Sequence, residues 1–335
     1  METYPLGKVP PEDLSRWFSR LKRKDPRVIL GPGVGLDCAV IDFGEKLLVA
    51  KSDPITFTAS DIGWYAVQIN ANDIATTGAR PKWFLVTLLL PETGTNRKTI
   101  DDIFTQVQDA CEDLEIEIVG GHTEVTMGLD RPILSGTMLG EVKRDHLITP
   151  QGARPGDALL LTKGVPLEAA SILARECEDE LADIEPIVLQ HARDYLHHPG
   201  ISVLKEALTA AGTGYVTAMH DPTEGGILSG LWELSDAASV GLEIETGSIP
   251  ILPEAAAICH ALQVNPMTAI ASGALLLTVE KEGLALTIER ILEIGIPITQ
   301  IGWVIERKGV FEKTQEEQTM LPRPSRDALA ELFDR

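Results

Sequence analysis

Three aspartates in the first half of the chain, Asp37, Asp53 and Asp73, stand at turn or helix positions beside apolar, strand-like runs. Carboxylates delivered from separate loops suit a hard cation such as magnesium, which takes one or two protein carboxylates and keeps its other positions for water and phosphate oxygens. Asp53 precedes Pro54 and is as readily an ordinary turn residue, and Asp37 has the same alternative. Asp73 says more. Asn70, Asp73 and Thr77 recur at helical spacing in a segment otherwise rich in Ala and Ile, a narrow polar line where a solvated face would carry Lys or Glu.

Two glycine-bearing motifs extend this chemistry to anions. Gly120-Gly121-His122-Thr123 reads as a turn ending a short strand, where small residues let backbone N–H groups approach an anion and Thr123 adds a donor, although Gly-Gly pairs are also plain turns. His122 is a phosphate donor, a metal neighbour or a hydrogen-bonded turn residue. His220-Asp221-Pro222-Thr223-Glu224-Gly225-Gly226 sits between a strand ending at Met219 and a helix beginning near Ile227. Such a junction aims helix N–H groups at a ligand and can pair Asp221 with a metal or a substrate donor, while Thr223 as a simple helix cap fits the same spacing. No G-x-x-x-x-G-K-[ST] loop or G-x-S-x-G elbow occurs, and Gly31-Pro-Gly-Val-Gly35 lacks Rossmann spacing.

The elements that must position these residues follow from hydrophobic period and turn chemistry. Cys38–Ile41 and Lys46–Lys51 flank Asp42-Phe-Gly44 as a hairpin that Pro54 ends. A helix capped by Ser60 or Asp61 runs to about Thr77, with Gly78 after it. Trp83–Leu90 is apolar on both faces, as in a central strand or one buried at a subunit interface. A helix over 99–114 and strands over 116–119 and 133–141 complete a first domain, 1–150. Turn formers at 149–156 place the boundary, and a second domain, 151–305, alternates helices with strands. Residues 306–335 form a charged, proline-bearing extension with one last helix possible after Pro322-Arg-Pro-Ser325.

At 335 residues the chain suits two domains. Its 29 Lys plus Arg against 50 Asp plus Glu leave a net charge of −21. That field argues against binding nucleic acid or an anionic membrane, and a phosphate ligand needs a divalent cation or placed N–H groups. The four cysteines are far apart and form no C-x-x-C pair, so a reducing, cytoplasmic setting is expected. No uncharged stretch reaches the length of a membrane span, and the start lacks an export signal.

Taken in order, Gly35-Leu-Asp-Cys-Ala-Val-Ile41, Ser52-Asp53, Asp61-Ile-Gly63, Asn72-Asp-Ile-Ala75, Gly78-Ala-Arg-Pro81, Gly120–Thr123 and His220–Gly226 resemble the aminoimidazole-ribotide-synthetase (PurM) superfamily over roughly residues 30 to 305. Among its members the chain is most similar to HypE-type hydrogenase maturation factors. The resemblance implies a two-domain PurM-like fold of mixed α+β and α/β character, with an N-terminal mixed domain whose sheet is shared across a homodimer, a C-terminal α/β domain, and ATP bound between the domains. It implies that Asp37, Asp53 and Asp73 hold magnesium and the ATP phosphates, that Asn72, Gly120, Gly121 and Thr123 line the same site, and that Asp221 and His122 face the reacting end.

Members of this superfamily typically use ATP to phosphorylate an oxygen or another poor nucleophile. Two departures touch the substrate side. The sequence ends Ala330-Glu-Leu-Phe-Asp-Arg335 where HypE-type proteins carry a terminal cysteine, and it reads Ala271-Ser272-Gly273 where they tend to carry Asn-Glu-Gly, closer to the Ser-Gly turn of selenophosphate synthetases. The glycine-, cysteine- and lysine-bearing N-terminal segment of the latter is missing too. The expected function is therefore an ATP-dependent, magnesium-requiring enzyme, HypE-like but with a different acceptor, either a small molecule or a partner protein. The alternatives are a small-molecule kinase resembling thiamine-monophosphate kinase and a non-catalytic ATP-binding assembly or maturation subunit.

Overall fold

The computed structural model describes residue 4 and residues 6–22, 24–314 and 317–334, and the chain forms two compact units. The first holds Asp25–Gly31 and Cys38–Leu147. The second holds the N-terminal segment through Lys24, Pro32–Asp37 and everything from Ile148 onward. The N-terminal segment and the glycine-rich loop with Asp37 are thus grouped with the second unit.

After helix α1 (Pro11–Phe18), the first unit runs β1 (Val28–Leu30), β2 (Ala39–Asp42), β3 (Lys46–Ile55), α2 (Ile62–Thr76), β4 (Arg80–Pro91), α3 (Arg97–Asp113), β5 (Glu117–Thr126) and β6 (Ile133–Lys143). The sheet order is β1-β2-β3-β6-β4-β5, antiparallel throughout except for the β4–β5 pair. Helix α2 lies on β3, β6 and β4, and α3 packs on α2. Alternation along the strands explains this one-sided covering. Phe84, Val86, Leu88 and Leu90 of β4 and Leu134, Met138 and Val142 of β6 are buried, whereas Leu85, Leu89 and Leu139 are only half-buried. Within α2 every residue except Trp64 is buried, so polar side chains on it must be satisfied internally.

Two turn signals fall inside strands. Pro54 does not end pairing: β3 continues to Ile55, with Pro54 opposite Ser135 of β6. Beyond Ala50 no β2 residue pairs with β3, so on that side a residue without an N–H is tolerated. The Gly120–Thr123 run is likewise no turn, because it lies in the middle of β5 beside β4. A Cβ on Gly121 would sit 1.9 Å from the Val86 carbonyl oxygen, so only glycine admits this close pairing. The register slips between Phe84 and Leu85, a bulge that local sequence does not announce.

The second unit continues with β7 (Ala158–Thr162), α4 (Leu167–Glu176), α5 (Pro186–Asp194), α6 (Leu204–Ala211), β8 (Val216–His220), α7 (Gly226–Ala238), β9 (Gly241–Ile244), α8 (Pro253–Ala261), β10 (Leu276–Val279), α9 (Leu284–Glu293), β11 (Ile298–Ile305), β12 (Gly309–Lys313), β13 (Gln318–Met320) and α10 (Ala328–Phe333). Its sheet order is β13-β12-β9-β11-β7-β10-β8. Only β9 and β12 pair in parallel. Ile227, Leu231 and Leu234 of α7 pack on Leu159, Leu161, Leu242, Leu276 and Ile301 of the sheet, and each such fully buried side chain contributes about 1.5–3 kcal/mol. Within 306–335, β12 and β13 extend this sheet, and Leu329 and Ala330 of α10 are buried. The charges of this stretch masked Val310 and Phe311, which are fully buried.

Candidate functional site

In the first unit, α2 and β3 bring Asp73 and Asp53 to one cation. Lys51 Nζ lies 2.9 Å from Asp73 Oδ2 and 3.2 Å from Asp53 Oδ2. Asp73 is buried, and Asn72 beside it is fully enclosed. The polar line expected on the helix divides by task. Asn70 accepts from the Asp53 N–H (3.0 Å) and donates to the Ala66 carbonyl (2.8 Å), so it fixes the β3 backbone under Asp53. Cys38 Sγ donates to the Asp73 carbonyl at 3.2 Å, and Thr76 does so at 2.7 Å. The Asp73 carboxylate is therefore held from its own backbone outward. Two carboxylates about one ammonium fit a site that also takes a hard divalent cation.

Gly120, Gly121, His122 and Thr123 are all exposed on β5, which is the edge strand. His122 Nε2 lies 3.1 Å from Glu124 Oε2. These residues present an edge of N–H and C=O groups instead of the expected turn cradle.

In the second unit, Asp37 and Asp221 offer carboxylate oxygens within 4.8 Å of each other. Asp221 follows β8 directly and is buried. His220, the last residue of β8, is 2% exposed and stands between two acids. Its Nδ1 is 3.1 Å from Asp37 Oδ2 and its Nε2 is 3.0 Å from Glu233 Oε2. Burial alone would lower the imidazole pKa, but the charges and hydrogen bonds of Asp37 and Glu233 outweigh it and hold His220 well above its ordinary value. Burial likewise pushes Glu233 up, yet Lys8, 3.2 Å away, and His220 together bring it below the usual carboxylate range. A ring clasped at both nitrogens fixes the orientation of Asp37.

The chain's matches to known proteins agree with this framework. Residues 35–142 match the model for the AIR synthase related protein N-terminal domain, and residues 154–314 match the model for its C-terminal domain. The chain belongs to the AIR synthase related family. It is 30% identical over 310 residues to a putative hydrogenase expression/formation protein of Methanocaldococcus jannaschii, covering 89% of each chain. Over 297 residues it is 27% identical to the thiamine-monophosphate kinase of Aquifex aeolicus, covering 83% of this chain and 88% of that one. The crystal structure of a hydrogenase maturation protein HypE in complex with ATP superposes with a TM-score of 0.72 at 20% identity, covering 95% of this chain and 91% of that one. At that identity the superposition shows a shared two-domain fold.

Sequence inspection of this AIR synthase related chain passed over Lys51, Lys8, His220 and Glu233. Lys51 and His220 had a signal, since His220 precedes Asp221 within the His220–Gly226 motif and Lys51 stands two residues before Asp53. Lys8 and Glu233 had none: Lys8 reaches Glu233 across 225 residues of chain, and Glu233 meets His220 only through the packing of α7.

Proposed function

We propose that this protein is an ATP-dependent, magnesium-requiring enzyme that activates a substrate by phosphorylation, with an acceptor other than a thiol of its own. The convergence of the Asp53 and Asp73 carboxylates on one cation carries the proposal. A chain of net charge −21 needs such a device to receive a nucleotide polyanion. Family membership supports it, as do the relatives: a structure of HypE in complex with ATP and a thiamine-monophosphate kinase. In this scheme Asp37, Asp53 and Asp73 bind magnesium, Asn72, Gly120, Gly121 and Thr123 serve the nucleotide, and Asp221 and His122 serve the reacting end. The protein's contribution is positioning and charge neutralisation.

All four cysteines are buried, and burial pushes the Cys111 and Cys259 thiols up to about 12. Burial raises the Cys177 thiol too, so none of these three is a ready thiolate, which favours a small molecule or a partner protein as acceptor. No helix among the described residues is long and apolar enough to cross a membrane. Calorimetry should show ATP binding in magnesium and its loss in EDTA, and phosphorus NMR against candidate acceptors should show ATP consumed. Equal affinity with and without magnesium would remove the proposal. We also propose a homodimer built on the first unit's half-covered sheet, where Ile118, Val119 and Val125 of β5 are exposed. Light scattering at micromolar concentration should give twice the mass of one chain, and a strict monomer would contradict it.

A further inference from the structure

Three segments of the second unit meet at residues 267–273. Ala169 N–H, in the first turn of α4, donates to the Ile270 carbonyl at 3.1 Å, and Leu228 N–H of α7 donates to the Met267 carbonyl at 3.1 Å. Ala328 N–H donates to the Thr268 carbonyl at 3.0 Å. Gly226, at φ +63°, lets the loop come so close that a Cβ there would lie 2.6 Å from the Ala269 carbonyl oxygen. Beside it, Gly225 N–H donates to Asp327 Oδ2 at 2.6 Å.

Two polar groups at this junction are left over. Glu168 is 3% exposed and Ser272 fully buried; the hydroxyl and N–H of Ser272 are the hydrogen-bonding groups that act on the Glu168 carboxyl, and even so neither Glu168 Oε2 nor Ser272 Oγ completes a hydrogen bond of normal geometry. They face each other closely enough for Ser272 to affect the ionisation of Glu168. Glu224, half-buried, and Asp327 add negative potential at the same point. Burial first, and those two carboxyls after it, push Glu168 up to about 8 against the opposing pull of Ser272. Burial also pushes Asp327 up to about 6, against the N–H groups it accepts. No basic group is among those acting on Glu168. Among the described residues these carboxyls do not converge to metal-ligand spacing, so a metal ion does not fit.

We infer that Glu168, Ser272 and the Glu224–Gly226 turn form a subsite for a cationic nitrogen group, an amine, amidine or guanidine, on the molecule the protein acts upon. N–H donors would satisfy both orphaned oxygens, and a positive charge would answer the three carboxyls, whereas phosphate or carboxylate would be repelled. Glu224 and Thr223 are half-buried while the loop behind them is closed, so the group enters past Glu224. The subsite rests on the proposed enzymatic function only in naming its ligand as the phosphate acceptor.

Saturation-transfer NMR from the intact, nucleotide-free protein to acetamidine, acetamide and acetate tests the subsite directly. Acetamidine should receive saturation from the wild type and the other two should not. Glu168→Gln should weaken acetamidine binding at least about tenfold, and Ser272→Ala about threefold, the effects of losing one charge-assisted and one neutral hydrogen bond. Should Glu168→Gln fail to fold, Ser272→Ala carries the test. Absence of acetamidine binding to the wild type, equal binding by both variants, or equal response from acetate or acetamide would overturn the inference. Because no nucleotide is present, failure of magnesium-dependent ATP binding would leave this result standing, and the reverse holds too.

Discussion

Lys51 in the first unit and His220 in the second are both basic groups clasped by two acids, Asp53 and Asp73 around one, Asp37 and Glu233 around the other. They differ in how firmly the base is held. Lys51 is a compact, strongly hydrated charge on a flexible stem and keeps 13% of its side chain exposed. It can withdraw and leave its two carboxylates to another cation. His220 is a rigid ring, 2% exposed, bound through both nitrogens, and has nowhere to go. One clasp is therefore exchangeable and the other is a brace, although a carboxylate census would treat them alike.

The sharpest way to break this contrast is Asp73→Asn, which removes a ligand charge at constant size. Magnesium–nucleotide binding should fall by at least about a hundredfold with the fold intact, and a normal dissociation constant in calorimetry would end the assignment. His220→Leu should instead act on stability. It leaves the buried Glu233 and the half-buried Asp37 facing an apolar side chain and should cost about 3 kcal/mol in urea unfolding. A loss confined to nucleotide binding would make His220 a ligand and not a brace.

The pH dependence sharpens the same point. His220 has its folded value raised, so its contribution is complete below its ordinary value of 6.5 and is lost as pH rises through the higher folded one. Glu233, held low, contributes above its ordinary 4.5 and loses that contribution as pH falls. Unfolding from pH 6 upward should therefore show an alkaline decline that His220→Gln reduces; an identical slope in both proteins would count against the buried imidazolium. The smallest effect should come from Lys51→Met, which removes the resident cation and should tighten magnesium binding without nucleotide roughly tenfold. Unchanged or weaker binding would mean that Lys51 supports the cation instead of standing in for it.

Much of this was legible in residue order. The extent of α2, the placement of Asp73 on it and the strand–loop–helix junction at Asp221 follow from local period, whereas the expected side-chain caps do not form: Asp61 is left-handed at the α2 N-cap and makes no side-chain capping bond, and Gly225, not Thr223, stands at the N-cap of α7. The interior of β5 did not, because a glycine pair reads as a turn until the Val86 carbonyl is known to need the space. Nor did the partners of His220, for burial of Glu233 depends on α7 packing against a sheet assembled from distant strands. Glu168 was hidden for a third reason: at the first turn of α4 a glutamate is what the helix dipole favours in any case, and only its burial sets it apart.

The division of the chain also has a consequence in time. The first unit is closed by residue 147, whereas the segment carrying Asp37 belongs with residues from Ile148 onward. During synthesis at 5–20 residues per second, about 10 to 40 s separate the appearance of Asp37 from that of His220. The first unit can complete its sheet in that interval around Asp53 and Asp73, before the His220 and Glu233 that face Asp37 in the second unit have been made. The emerging chain thus presents the exchangeable clasp before the brace exists, and Asp37 is oriented only once most of the polypeptide has been made.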